Sequence, residues 1–196
     1  MTLIKIQSEG INLADNYAFT GTVTGTGSNI KEKLVMLCDG NNYTVSSGTY
    51  TSQSVTAKQE LTTSYADVTG STISYTPPTG ATCVIYEFSF AASFADALVI
   101  SHYKFFIDSD EVVYQRKNLG GDVQQAFINA KYIIPIGGSA DTNTGRQSSW
   151  TSAKTLKMQV REYTSSYEGN LHTGQYWDGA ASEQFHIPSL TITALG

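Results

Sequence analysis

The chain predicts an all-β protein: an antiparallel β-sandwich head, jelly-roll-like, over residues 61–196, preceded by an extended β-rich N-terminal stalk or attachment segment over 1–60. Three observations point there. Residues 62–90, TTSYADVTGSTISYTPPTGATCVIYEFSF, read as strand, turn, strand, Pro-Pro turn and long strand without interruption, because proline cannot donate to a sheet ladder and Gly-Ser suits a turn. Within it Val84, Tyr86, Phe88 and Phe90 alternate with residues such as Cys83, Glu87 and Ser89, the two-residue period of a half-buried strand. From Thr62 onward the chain offers about eight strands at regular spacing and no convincing amphipathic helix, the pattern of a sandwich or jelly roll.

In order, residues 1–30 hold two short β-type segments, 3–7 and 18–24, separated by turn chemistry at Glu9-Gly10 and Asp15-Asn16. Neither can bury a face alone, so this region calls for a partner: identical copies, or a larger particle. Residues 31–61 carry the apolar patch Leu34-Val35-Met36-Leu37-Cys38 and then a Ser/Thr-rich stretch, read as edge strands or a linker. Phe is absent between Phe19 and Phe88, which places the material for a core mostly in the second half.

Residues 98–117 divide into two arms around Asp108-Ser109-Asp110-Glu111, a hairpin. Residues 124–136 form a strand stopped by Pro135 and Gly137-Gly138, and a polar loop follows over 139–149. Leu156, Met158 and Val160 alternate with Lys157, Gln159 and Arg161 in a strand with one wet side. Residues 164–182 read as a long aromatic loop, and Leu190, Ile192 and Ala194 define the inner face of a closing strand.

Composition narrows function. Only 15% of residues are charged, against about 25% in an average globular protein, so the surface is largely neutral and hydroxylated. A net charge of -5 and no run of more than two basic residues argue against nucleic acid. Neither an export signal in MTLIKIQSEG nor an apolar run near the ~20 residues of a membrane span is visible, so a soluble protein without membrane insertion is expected. Cys38 and Cys83 have no CxxC or Cys/His neighbours; free thiols are the better reading, a disulfide between them the alternative.

Catalytic and metal chemistry find little support. His102, His172 and His186 stand alone, without ligand spacing, so no metal or other cofactor is expected. Asp108, Asp110 and Glu111 have the ligand types for calcium but not the loop that arranges them, and they suit a tight hairpin. Glu168, Asp178 and Glu183 could supply a glycosidase pair, yet such a trio arises readily among 17 acidic residues, so a non-enzyme is expected. Binding fares better. Tyr163, Tyr167, His172, Tyr176, Trp177 and Asp178 gather rings and polar partners of the kind that stack on a sugar and bond its hydroxyls, and Asp141, Asn143, Arg146 and Trp150 form a second candidate. The competing reading is that these rings cover a sheet end or fill a subunit interface.

Three stretches, IKIQSEGINLADNYAFTGTVTG, TTSYADVTGSTISYTPPTGATCVIYEFSF and FFIDSDEVVYQ, resemble tail-fibre and virion appendage proteins of tailed phages, particularly those of marine bacteria. They would correspond to the short leader before the trunk, the block that starts a β-sandwich head, and the hairpin after it. The chain departs from that pattern at Cys83 and in residues 164–182. The resemblance implies a virion structural protein, assembled in the host cytoplasm: a homotrimer that attaches to other virion proteins through residues 1–30 and presents its head outward, toward a host-surface glycan. A tail fibre and a capsid fibre or decoration knob fit it equally. The alternative is a stand-alone carbohydrate-binding module or glycan-cleaving enzyme that uses the 164–182 loop.

Overall fold

The computed structural model describes residues 29–94, 99–120, 125–166, 168–177 and 181–196, with backbone only for 175–177 and 181–183. The strands are β1 (Ile30–Leu37), β2 (Asn42–Val45), β3 (Gly48–Thr51), β4 (Gln59–Glu60), β5 (Ala66–Asp67), β6 (Ile73–Tyr75), β7 (Cys83–Phe94) and β8 (Ser101–Ile107). They continue as β9 (Asp110–Glu111), β10 (Lys117–Leu119), β11 (Gln125–Pro135), β12 (Lys154–Glu162), β13 (Gly169–Leu171), β14 (Thr173–Trp177), β15 (Ala181–Phe185) and β16 (Ser189–Leu195). The one helical piece among the described residues is a 3-10 turn at Val113–Gln115.

Two antiparallel sheets face each other, as the strand pattern predicts. The first is built on β7, whose alternation buries Val84, Tyr86, Phe88 and Phe90. Along one edge β7 pairs with β11 over its whole length; along the other it pairs first with β16, which carries β1, and then with β13, which carries β4. The second sheet is built on β12 and β8, with β5 and β6 on the far side of β12 and β9 and β10 on the far side of β8. Its inward residues, Leu156, Met158 and Val160 against Tyr103, Phe105 and Ile107, meet those of β7. Phe105 holds the layers together: its ring stacks on Tyr132 of β11 at 4.3 Å and tilts against Tyr86 at 5.0 Å.

Both edges of the β12 sheet consist of interrupted strands. The Gly-Ser element predicted as a turn between two strands does not reverse the chain; β5 and β6 lie end to end along β12, and residues 68–72 loop out as a bulge. The bulge is held by β12, since Val68 N donates to Met158 O and Met158 N donates to Ser71 Oγ. Gly70 (φ +85°) has no room for a side chain, because a Cβ would lie 2.9 Å from Val55 and 3.1 Å from the Cys38 sulfur. The predicted Asp108 hairpin exists, but its second arm pairs for only two residues before the 3-10 turn intervenes and β10 resumes beside β8. Such interruptions blunt an edge against pairing with foreign strands. On the β7 sheet a side chain serves that end. The Gln115 amide accepts from Ile133 N (2.9 Å) and donates to Ile133 O (2.7 Å), the two bonds a neighbouring strand would have made to β11.

The boundary expected at residue 60 does not mark a change of fold. β1 pairs with β16 across seven aligned residues, and Leu34, Met36, Cys38 and Val55 are core members. Short strands with few aromatic residues still bury one face when the closing strand supplies the partner. Glu32 ties this part further in: its buried carboxylate accepts from Ser46 Oγ (2.6 Å), Ser47 N (2.7 Å), Ser47 Oγ (2.6 Å) and Tyr75 Oη (2.8 Å). Burial alone would raise its pKa, but the hydrogen bonds from Ser46, Ser47 and Tyr75 outweigh that and hold it below the ordinary range. The attachment segment expected over 1–30, with its strands at 3–7 and 18–24, lies outside the described residues but for Asn29 and Ile30.

Candidate functional site

The outward face of the β12 sheet carries a candidate surface site. Antiparallel register brings Asn118 of β10, His102 of β8 and Arg161 of β12 into one cross-strand row. Because their neighbours Tyr103 and Val160 point into the core, the two-residue period turns these three outward. Tyr65, just ahead of β5, lies over the row. Its hydroxyl meets His102 Nδ1, its ring stands edge-on to the imidazole at 5.7 Å, and Lys104 Nζ and Arg161 Cζ lie 4.2 and 5.3 Å from its centroid. On the other side Tyr163, anchored by its N–H to Ile100 O (2.9 Å), is 72% exposed.

Between the two tyrosines runs a groove of about 370 Å³, completed by Ile100 and Gly120. A Cβ at Gly120 would come within 3.1 Å of Ile100, so glycine leaves this apolar end open. The groove is electropositive in a chain whose net charge is -5. Glu111 neutralises only part of the nearby positive charge: it pairs with Lys104 (2.9 Å) and Arg116 (2.5 Å), while Arg161 Nε is buried with no hydrogen-bond partner among the described residues. His102 registers this field. Burial, then the positive charges of Arg116, Lys104 and Arg161, lower its pKa against the opposing pull of Glu111, so the imidazole is neutral at pH 7.

Of the residues singled out in the sequence, Tyr163 lines this groove, while His172, Trp150 and Arg146 lie elsewhere. Tyr167 and Asp178 lie outside the described residues, as do the side chains of Tyr176, Trp177 and Glu183. The stretch read as a loop over 164–182 contains β13 and then the β14–β15 hairpin, which leaves the sheet between β13 and β16. His172 sits at the root of that hairpin and is wholly buried, edge-on to Phe88 and Phe90, so it is not available to a surface ligand. It takes a left-handed backbone (φ 63°), its N–H donates to Ala91 O, and its carbonyl accepts from His186 N, which closes the gap in the β7 edge where β13 stops and β16 has not begun. Burial pushes its pKa down to about 4, opposed by the Thr69 backbone; neither ring nitrogen makes a hydrogen bond of good geometry.

Trp150 is also structural. It is 6% exposed, donates from Nε1 to Tyr75 O (3.2 Å) and stands edge-on to the Tyr75 ring. Arg146 closes its own loop by donating to Gly137 O at 3.1 Å. Neither lines the groove between Tyr65 and Tyr163.

The acidic hairpin is engaged within the protein. Asp108 accepts from Thr155 N and Lys154 Nζ, and Glu111 is held by its two cations. Among the described residues no group of three or more His, Cys, Asp or Glu gathers as a metal site would require. Cys38 and Cys83 are both free thiols. Among the described residues no helix is long and apolar enough to cross a membrane.

No family model and no curated protein matches the sequence. Among solved structures, one of infectious bursal disease virus, Gx strain, is similar over 85% of this chain at a TM-score of 0.41 and 8% identity. The chain spans 33% of that protein's length, and a likeness of this size carries no argument about function.

Proposed function

We propose that the chain is a virion structural protein: a homotrimeric fibre or capsid-decoration subunit that attaches through its N-terminal segment and presents the β-sandwich outward. The reading assigns it no catalytic activity. The observation that carries it is the outer face of the β7 sheet. There Val35 (55% exposed), Leu37 (51%), Ile133 (49%), Ile187 (49%) and Phe127 (72%) frame a centre of Ser89, Thr191 and the Glu87–Lys131 pair. Beside Phe127, His186 and Ile187 lies a hollow of about 290 Å³. An apolar-framed face at a terminal strand suits a second copy of the same chain better than it suits water. The resemblance of three stretches of sequence to phage appendage proteins supports the same reading.

Light scattering of the whole chain tests it. The expected mass is three times the 21.2 kDa of one chain, and a monomer at micromolar concentration would overturn the reading. A second reading, a stand-alone carbohydrate-binding module, is favoured by the groove between Tyr65 and Tyr163. Association in solution separates the two.

A further inference from the structure

We propose that the groove between Tyr65 and Tyr163 binds an anionic sugar residue, a hexuronic acid within an oligosaccharide, with the carboxylate taken by Arg161 and the ring held between the tyrosines. This inference stands on the groove alone and survives whether or not the chain forms a trimer.

Four features select this ligand. Arg161 brings a guanidinium to the groove and has no acidic partner among the described residues, which leaves its charge for a bound carboxylate. Asn118 and His102, in the same row, add polar groups at the spacing of adjacent strands, which suits hydroxyls around a ring. Tyr163, 72% exposed, and Tyr65 bound the site with rings, and Ile100 supplies an apolar patch for the C–H face of a sugar. Lys104 and Arg116 outnumber Glu111, so the field favours an anion.

The volume of about 370 Å³ admits one or two rings. Beyond it the β12 cations are already engaged: Lys157 with Asp67 at 3.0 Å and Lys154 with Asp108 at 3.3 Å. No free cationic track therefore continues along the strand for a nucleic-acid backbone, which favours a short acidic glycan.

The test is titration of the isotope-labelled full chain with tetragalacturonate, its methyl ester, a sulfated neutral tetrasaccharide and a single-stranded oligonucleotide. The expected result is shift changes at Tyr65, His102, Asn118 and Tyr163 with tetragalacturonate, and affinity at least about tenfold weaker for the ester, which keeps the ring and loses the charge. Arg161→Gln should weaken tetragalacturonate by roughly tenfold and leave the ester unaffected, whereas Tyr163→Ala should weaken both. Should Arg161→Gln fail to fold, the ester comparison on the unaltered protein and the exposed Asn118→Ala variant still decide. Equal binding of acid and ester, preference for the sulfated sugar or the oligonucleotide, shifts confined to Phe127 and His186, or no binding at millimolar tetragalacturonate would each overturn the proposal.

Discussion

The two sheets are alike inside and opposite outside. Toward the core both present alternating large apolar residues, Val84, Tyr86 and Phe88 on one and Leu156, Met158 and Val160 on the other, all close to fully buried. Outward, the β7 sheet shows Val35, Leu37, Ile133 and Phe127 around a hydroxylated centre with one ion pair. The β12 sheet shows Lys104, Lys154, Lys157 and Arg161, with acidic partners for only some of them. Inward residues answer to packing, which constrains both sheets equally. The outward positions are free of that demand, and their divergence is where function is to be sought: association on one side, recognition of a charged ligand on the other.

The largest test addresses what the sheets share. Phe105→Ala removes the ring that contacts Tyr86 and Tyr132 across the layers and should cost about 3–5 kcal/mol. Urea unfolding would show it as one cooperative transition at lower denaturant. Two separate transitions would mean that the sheets do not form a common core.

Acid should loosen the β7 side first. His172 has its folded pKa lowered to about 4, beneath an unfolded value near 6.5. As pH falls below about 6.5 the unfolded chain takes up a proton that the folded chain refuses, so stability drops until about pH 4, by about 3 kcal/mol in all. Glu32 acts lower still: with its folded pKa depressed, its contribution is present above the ordinary carboxylate range and is lost as pH falls through the folded value. Unfolding curves at pH 7 and 4.5 would measure the first effect, and His172→Gln should flatten it.

Gln115→Ala should cost about 1–2 kcal/mol, because it strips Ile133 of the two bonds that replace a neighbouring strand. Open β11 edges should then pair between molecules, and aggregation on partial unfolding would report this. The smallest effect on stability, within about 0.5 kcal/mol, is expected of Val35→Asp on the exposed face. The same change should disperse the proposed trimer, so light scattering and urea midpoints measured together would separate assembly from folding.

Much of this was legible in the residues. Alternation identified the buried faces of β7, β12 and β16, and Pro135 with its two glycines marked the end of β11. Periodicity also said that Lys157, Gln159 and Arg161 face water. It did not say that Arg161 lies in one row with His102 and Asn118, since that adjacency depends on register across three strands, one of them dozens of residues from the other two. His172 is a case of the same kind. A histidine serves a core as well as a binding surface, and only burial, which the fold decides, distinguishes the two.

The stretch of residues 30–60 shows the same division. Read alone it lacks aromatic mass, and composition suggests a stalk; in the fold β16 lends β1 a partner, and Leu34 and Met36 complete the core. What the sequence by itself determined is local: the strand period, the turns set by proline and glycine, and the sign of each residue's preference for water. The tertiary structure decided which strands are neighbours, that residues 68–72 bulge instead of reversing, and which outward residues converge into a groove. Those outcomes rest on long-range pairing, and a side chain's partners across a sheet are encoded in another part of the chain.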